Sequence, residues 1–129
     1  MKRICFLPAL VWLLMVAGCS TQKSVAGMEG WGPLHVYNAG FDPVWNAALA
    51  AVEKNGFHVV NANRAKGYIG ARRGISPTAF GENLGIWVRG VTPFQTEVGV
   101  VSRHAGLTIL PLRNWQQPIL KDIATVVPT

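Results

Sequence analysis

The N-terminal run decides most of what this chain can build. Lys2 and Arg3 are followed by Ile4–Ala17, which is apolar apart from Pro8. Gly18 and Cys19 come next, and then the polar series Ser20, Thr21, Gln22, Lys23 and Ser24. A positive start, a short apolar stretch and small residues at its end form the pattern of a secretory signal. A spanning helix needs roughly 20 apolar residues to cross a hydrocarbon core of ~30 Å. This run is shorter, and Pro8 interrupts it. The expectation is that residues 1–18 are removed, leaving 111 of the 129 residues to fold. That is enough for one domain with its own core.

Residues 20–33 hold Ser20, Ser24, Gly27, Gly30, Gly32 and Pro33, and their composition reads as a flexible tether over 19–33 leading to a domain over 34–129. Trp31 is the exception and has the character of a docking residue. Leu34–Asn38 reads as a short strand with Leu34 and Val36 on one face, His35 and Tyr37 on the other. A helix is expected over 43–55. Asp42 is placed to cap it, Pro43 fits its first position, and Val44, Trp45, Ala48, Leu49 and Val52 recur at helical spacing. Asn55-Gly56 ends it, with Gly56 in a left-handed cap. Strands are then expected at 57–62 and 68–73 as a hairpin, and at 84–91 and 95–103. Residues 74–83 form the loop between the second and third of these, and 104–113 could be a further strand or an ordered loop. A second helix is expected at about 115–127, started by Asn114 and Gln117 in a capping-box variant and carrying Ile119, Leu120, Ile123, Val126 and Val127 on one stripe. This order predicts an α+β fold, a two-layer sandwich of about four antiparallel strands with two helices on one face.

Strand alternation sorts the side chains. Val59, Ile69, Ala71, Ile86, Val88, Val98 and Val100 belong under the helices. The opposite face then carries His58, Val60, Tyr68, Arg72, Trp87, Arg89, Glu97, Val101 and Arg103. From this set, His58, Tyr68, Arg72, Trp87, Arg89 and Arg103 form a candidate binding face, because aromatic rings and guanidinium groups grip sugars, anionic groups or a protein surface. The competing reading is a covered face, closed by the segment around Trp31, by residues 104–113 or by a second copy of the chain. The 74–83 loop, with Ser76, Thr78 and Phe80, is a lesser candidate.

Catalytic patterns are absent from the sequence. The acids beyond the leader are Glu29, Asp42, Glu53, Glu82, Glu97 and Asp122, and no pair is set for acid–base work. His35, His58 and His104 are isolated, so no zinc spacing exists. Ser20, Ser24, Ser76 and Ser102 sit in no G-x-S-x-G elbow, and the glycines form no nucleotide loop. No catalytic residue, metal ligand or cofactor is expected, and an enzyme of unrecognised type stands as the least favoured reading.

Val16-Ala17-Gly18-Cys19 resembles the bacterial lipobox. The resemblance implies cleavage before Cys19, diacylglycerol on its thiol, and acylation (palmitate, typically) of its amine. Two or more chains hold a protein stably on a membrane. Ser20, where an Asp would signal inner-membrane retention, implies the outer membrane, with the domain in the periplasm. Cys5 then leaves with the leader and Cys19 carries lipid, so the domain has neither disulfide nor thiolate. Removing Lys2 and Arg3 leaves ten basic against six acidic residues, a mild excess suited to anionic envelope polymers or headgroups, or to no partner at all. With the lipobox, "FDPVWNAALAAVEKNGF", "GYIGARR" and "TEVGVVSR" resemble a group of small bacterial lipoproteins that share an address and a fold rather than an activity. The layout is more distantly similar to the repeated domains of the envelope lipoprotein BamC, while residues 104–114 depart from the group in lacking a Gly-rich turn. The resemblance implies a cell-envelope protein that binds an envelope protein or itself without catalysis. An anionic component, peptidoglycan or lipopolysaccharide, gripped by Arg72, Arg89 and Arg103, is the alternative. Export excludes nucleic acid as partner of the aromatic-plus-basic face.

Overall fold

A computed structural model of the chain describes residues 25–30, 32–74, 81–104 and 114–129, with His104 described by its backbone alone. The order of elements is β1 (Leu34–Tyr37), α1 (Phe41–Lys54), β2 (His58–Asn63), β3 (Tyr68–Arg73), β4 (Glu82–Thr92), β5 (Gln95–His104) and α2 (Gln116–Ala124). The fold is the expected α+β arrangement, with one difference in count. The sheet has five strands in the order β1-β5-β4-β3-β2, every pair antiparallel. Leu34–Tyr37 supplies the fifth by returning to pair with β5, Leu34 opposite Gly99 and Tyr37 opposite Thr96.

Both helices pack on one face of this sheet. Val44, Trp45, Ala47, Ala48, Ala51 and Val52 of α1 and Ile119, Leu120 and Ile123 of α2 share one buried cluster with Ile69, Ala71, Leu84, Ile86, Val88, Val98 and Val100. These side chains alternate along the strands and recur at helical spacing in the helices, so burial of the two patterns against each other assembles the layers. Tyr37 is wholly buried and donates its hydroxyl to the Leu120 carbonyl at 2.7 Å, tying the edge strand to α2. Burial pushes its phenol up to about 12. Asp122 of α2 accepts from Asn55 Nδ2 at 2.8 Å and Lys54 Nζ at 3.1 Å, tying α2 to the end of α1. The Asn55 hydrogen bond is the main reason its carboxyl is held below the ordinary carboxylate value, with Lys54 assisting and burial opposing.

Helix ends differ from expectation at both starts and at the end of α2, which stops at Ala124 instead of about 127 and leaves Val126 exposed. Gly40, extended at ψ 172°, is the N-cap of α1, and it makes no side-chain cap bond. Asp42 therefore lies inside the first turn and pairs with Arg64 on the β2–β3 turn instead of capping. A carboxylate there still favours the positive end of the helix dipole. The C-terminus follows the sequence: Gly56 has φ 81°, its N–H donates to Glu53 and that of Phe57 to Val52, the paired bonds of a Schellman cap. In α2, Trp115 is the N-cap, and Asn114 Oδ1 accepts from the backbone of Gln116 at 2.9 Å, so Gln117 completes no capping box. The 104–113 alternatives lie outside the described residues apart from the backbone of His104, which closes β5. Residues 75–80 of the candidate loop also lie outside them.

One segment changes the picture of the N-terminal side. Val25, within the stretch whose composition reads as tether, is wholly buried. Its Cγ1 lies where a Cβ on Gly85 would come within 2.7 Å of it, so the segment is seated on the sheet face opposite the helices. The absence of a side chain at Gly85, in mid-strand, is what lets the Val25 side chain lie against the sheet.

Candidate functional site

The sheet face opposite the helices is built in rows, because antiparallel registers align side chains across strands. The first row runs His58, Arg72, Asn83 and Arg103 across β2, β3, β4 and β5. His58, Arg72 and Arg103 are exposed, while Asn83 between the two arginines is buried. The next row is Asn61, Gly70, Gly85 and Val101, and the absence of side chains at its two glycines leaves the trough that Val25 fills. The third row is Asn63, Tyr68, Trp87, Gly99 and Leu34. The fourth carries Arg89, Glu97 and Val36.

All six residues of the expected binding face thus lie on one side of the sheet, but they fall into three groups. His58, Arg72 and Arg103 make a cationic row at one end. Tyr68 and Trp87 form the centre, their ring centroids 5.3 Å apart and their planes tilted by 48°. Tyr68 is 8% exposed, and Trp87 is half-buried. Arg89 is at the far end, its guanidinium 2.9 Å from Glu97. Asn83 and Arg89 are six positions apart along β4, or about 20 Å at the rise of a strand. Arg89 therefore stands apart from Arg72 and Arg103 and is paired with Glu97. Val60, also assigned to this face, is the extra residue of a bulge between Val59 and Asn61 and has no partner in register.

Two cavities open beside the seated segment. One, about 330 Å³, is lined by Ala26, Glu29, Asn61, Asn63, Lys66, Tyr68 and Trp87. The other, about 170 Å³, lies between Glu29, Gly32, Leu34, Trp87 and the Arg89–Glu97 pair. Trp87 and Glu29 border both. A third, wider cavity of about 750 Å³ lies between β1 and α2 around His35, Lys54, Lys121 and Asp122, away from the aromatic face.

Burial raises the Tyr68 phenol, and among the described residues its hydroxyl has no hydrogen-bond partner. Glu82 Oε2 at the start of β4 is likewise buried without one. Among the described residues no three His, Cys, Asp or Glu side chains come together as a metal site would require. Cys19 lies outside the described residues.

Sequence reasoning missed Val25, Glu29, Asn61, Asn63 and Lys66. Nothing in the local sequence singles out Val25 from the small and polar residues around it. The signal that could have found its seat is on the other side of the contact: Gly70 and Gly85 interrupt two otherwise regular strands, and glycine inside a strand marks the close approach of another backbone. No protein-family model matches the chain, and no curated protein matches it either.

Proposed function

We propose that this chain is a lipid-anchored, non-catalytic binding or assembly module of the bacterial envelope, held by Cys19 at the outer membrane and facing the periplasm. The leader pattern of residues 1–18 and the lipobox-like Val16–Cys19 support the address. Among the described residues no helix is long and apolar enough to cross a membrane, so attachment in this reading rests on the lipid. The observation that carries the binding role is the sheet face opposite the helices. It carries an exposed His58–Arg72–Arg103 row beside the half-buried Trp87, and Val25 is seated against it. A mixed aromatic and arginine surface is typical of sites that carry most of a binding energy. The partner is another envelope protein or a second copy of the chain.

A second reading, an anionic envelope polymer such as peptidoglycan or lipopolysaccharide, is favoured by Arg72 and Arg103 sharing one row. It does without Arg89, which is engaged by Glu97. Salt separates the two readings, because contacts made through exposed charges weaken steeply with ionic strength and aromatic ones do not.

Two experiments test the proposal. Cys19→Ala abolishes incorporation of labelled palmitate and leaves uncleaved precursor; labelling that persists removes the anchor. A photo-crosslinking residue at position 72 or 58, both exposed, captures a discrete protein band in cells. A folded, lipidated protein that yields no band at either position overturns the protein-partner reading.

A further inference from the structure

We infer that the cavity between Trp87, Tyr68 and the seated N-terminal segment is a subsite for a neutral saccharide ring. This deepens the proposed function and rests on its reading of the sheet face as a binding surface.

The lining is the argument. Trp87 and Tyr68 form the floor, and Asn61 and Asn63 of β2, Lys66 of the β2–β3 turn, and Ala26 and Glu29 form the walls. At about 330 Å³ the space lies at the small end of ligand pockets, sized for one ring rather than an extended ligand. A pyranose has an apolar face of C–H groups and a rim of hydroxyls that both donate and accept. An aromatic side chain matches the face, and mixed polar groups match the rim. The rim here is mixed in that way. Each asparagine offers an amide with donor and acceptor character, Lys66 donates and Glu29 accepts. Asn63 Oδ1 already accepts the Lys66 backbone N–H at 3.0 Å, which leaves its amide N–H groups for a ligand.

Two features narrow the ligand class. One lysine and one glutamate balance in the lining, so it selects no net charge, and the arginines that would select an anion stand in other rows. The planes of Tyr68 and Trp87 are tilted 48° apart, which makes a bent floor rather than the parallel walls that sandwich a flat heteroaromatic base.

The test is titration of the full chain in detergent with N-acetylglucosamine, its β-1,4-linked tetramer, maltotetraose and adenosine. Calorimetry or saturation-transfer NMR reads the binding. Saturable binding of at least one sugar is expected, with a dissociation constant on the order of 0.1–1 mM for a single shallow ring site. Trp87→Ala weakens it at least tenfold. Asn61→Ala, at an exposed edge-strand position that leaves the sheet intact, weakens it about fivefold. Phe94→Ser, on the exposed β4–β5 turn, leaves it unchanged. Tighter binding of a tetramer than of the single ring assigns the site to a glycan chain, and equal binding assigns it to a lone sugar or a headgroup; both support the inference. No saturable sugar binding at 10 mM in a folded protein overturns it, as does saturation by adenosine alone. Sugar binding that survives both Trp87→Ala and Asn61→Ala also overturns it. Loss of sugar binding alongside a persistent crosslink from position 72 removes this inference and leaves the protein-partner reading standing.

Discussion

The contact between Val25 and Gly85 makes a quantitative prediction about a segment whose composition reads as linker. Val25 is wholly buried, and a Cβ on Gly85 would sit 2.7 Å from its Cγ1 and 2.9 Å from the Trp87 ring. Val25→Ala removes two buried carbons. At about 0.8 kcal/mol each, with a cavity left behind, it costs about 1.5–2.5 kcal/mol. Gly85→Ala inserts a methyl group where both neighbours already stand, and costs about 1–3 kcal/mol by overpacking. In the double variant the new methyl occupies space that Val25 has vacated. The two costs then fail to add, and the coupling is about 1 kcal/mol or more, with the remainder set by Trp87. Urea unfolding followed by tryptophan fluorescence on the four proteins gives the cycle. If Val25→Ala shifts stability by less than ~0.5 kcal/mol, or the costs add within that margin, the segment is not part of the packed face. The same result would remove one wall of the proposed sugar subsite.

Three other variants probe contacts that hold the layers together. Tyr37→Phe removes the hydrogen bond that ties β1 to the Leu120 carbonyl and costs about 1 kcal/mol. The folded pKa of Tyr37 is raised from 10.0 to about 12, so its contribution is full below pH 10 and is lost as pH rises toward 12. Alkaline unfolding curves of wild type and Tyr37→Phe should converge over that window. Asp122 has the opposite sign: its pKa is lowered from 3.8, so its contribution is present above that value and lost as pH falls through the lower folded one. Asp122→Asn flattens the acid limb of the stability curve, and an unchanged limb refutes the assignment. Asp42→Ala tests the corrected helix start. Loss of an exposed ion pair to Arg64 costs about 0.5 kcal/mol and shrinks with salt, whereas loss of an N-cap would cost about 1 kcal/mol or more and persist.

The elements with strong periodicity were readable. Tyr68–Arg73 falls where its sequence puts it, and the Asn55-Gly56 stop of α1 has the expected left-handed glycine. Those signals are local: a two-residue alternation, a 3.6-residue stripe, a residue that tolerates positive φ. The start of α1 was misread because Asp42 and Gly40 are both acceptable caps, and the choice turned on Arg64, twenty-two residues away, claiming the carboxylate. The fifth strand pairing was hidden for a similar reason, since Leu34–Tyr37 is four residues long and its partner lies at Thr96–Gly99. The candidate face was legible as a set and illegible as an arrangement. Alternation assigned Arg72, Arg89 and Arg103 to one side of the sheet. Only register revealed that two of them share a row while the third is bound to Glu97 two rows beyond the trough. The trough itself depended on Gly70 and Gly85 becoming neighbours across β3 and β4, a relation that neither strand carries alone.

The seating of Val25 also sets how far the domain can stand from whatever holds Cys19. From Cys19 to Leu34 is fifteen residues, a full stretch of about 50 Å; from Cys19 to Val25 it is six, or about 20 Å. With lipid on Cys19, a docked Val25 keeps the sheet within a domain's own thickness of the bilayer. Unseating it lets out about 30 Å of slack. The protein would then have two working heights, and the free energy between them is no more than the burial of one valine and its neighbours. A partner that competes for the glycine trough would raise the domain off the membrane as it binds.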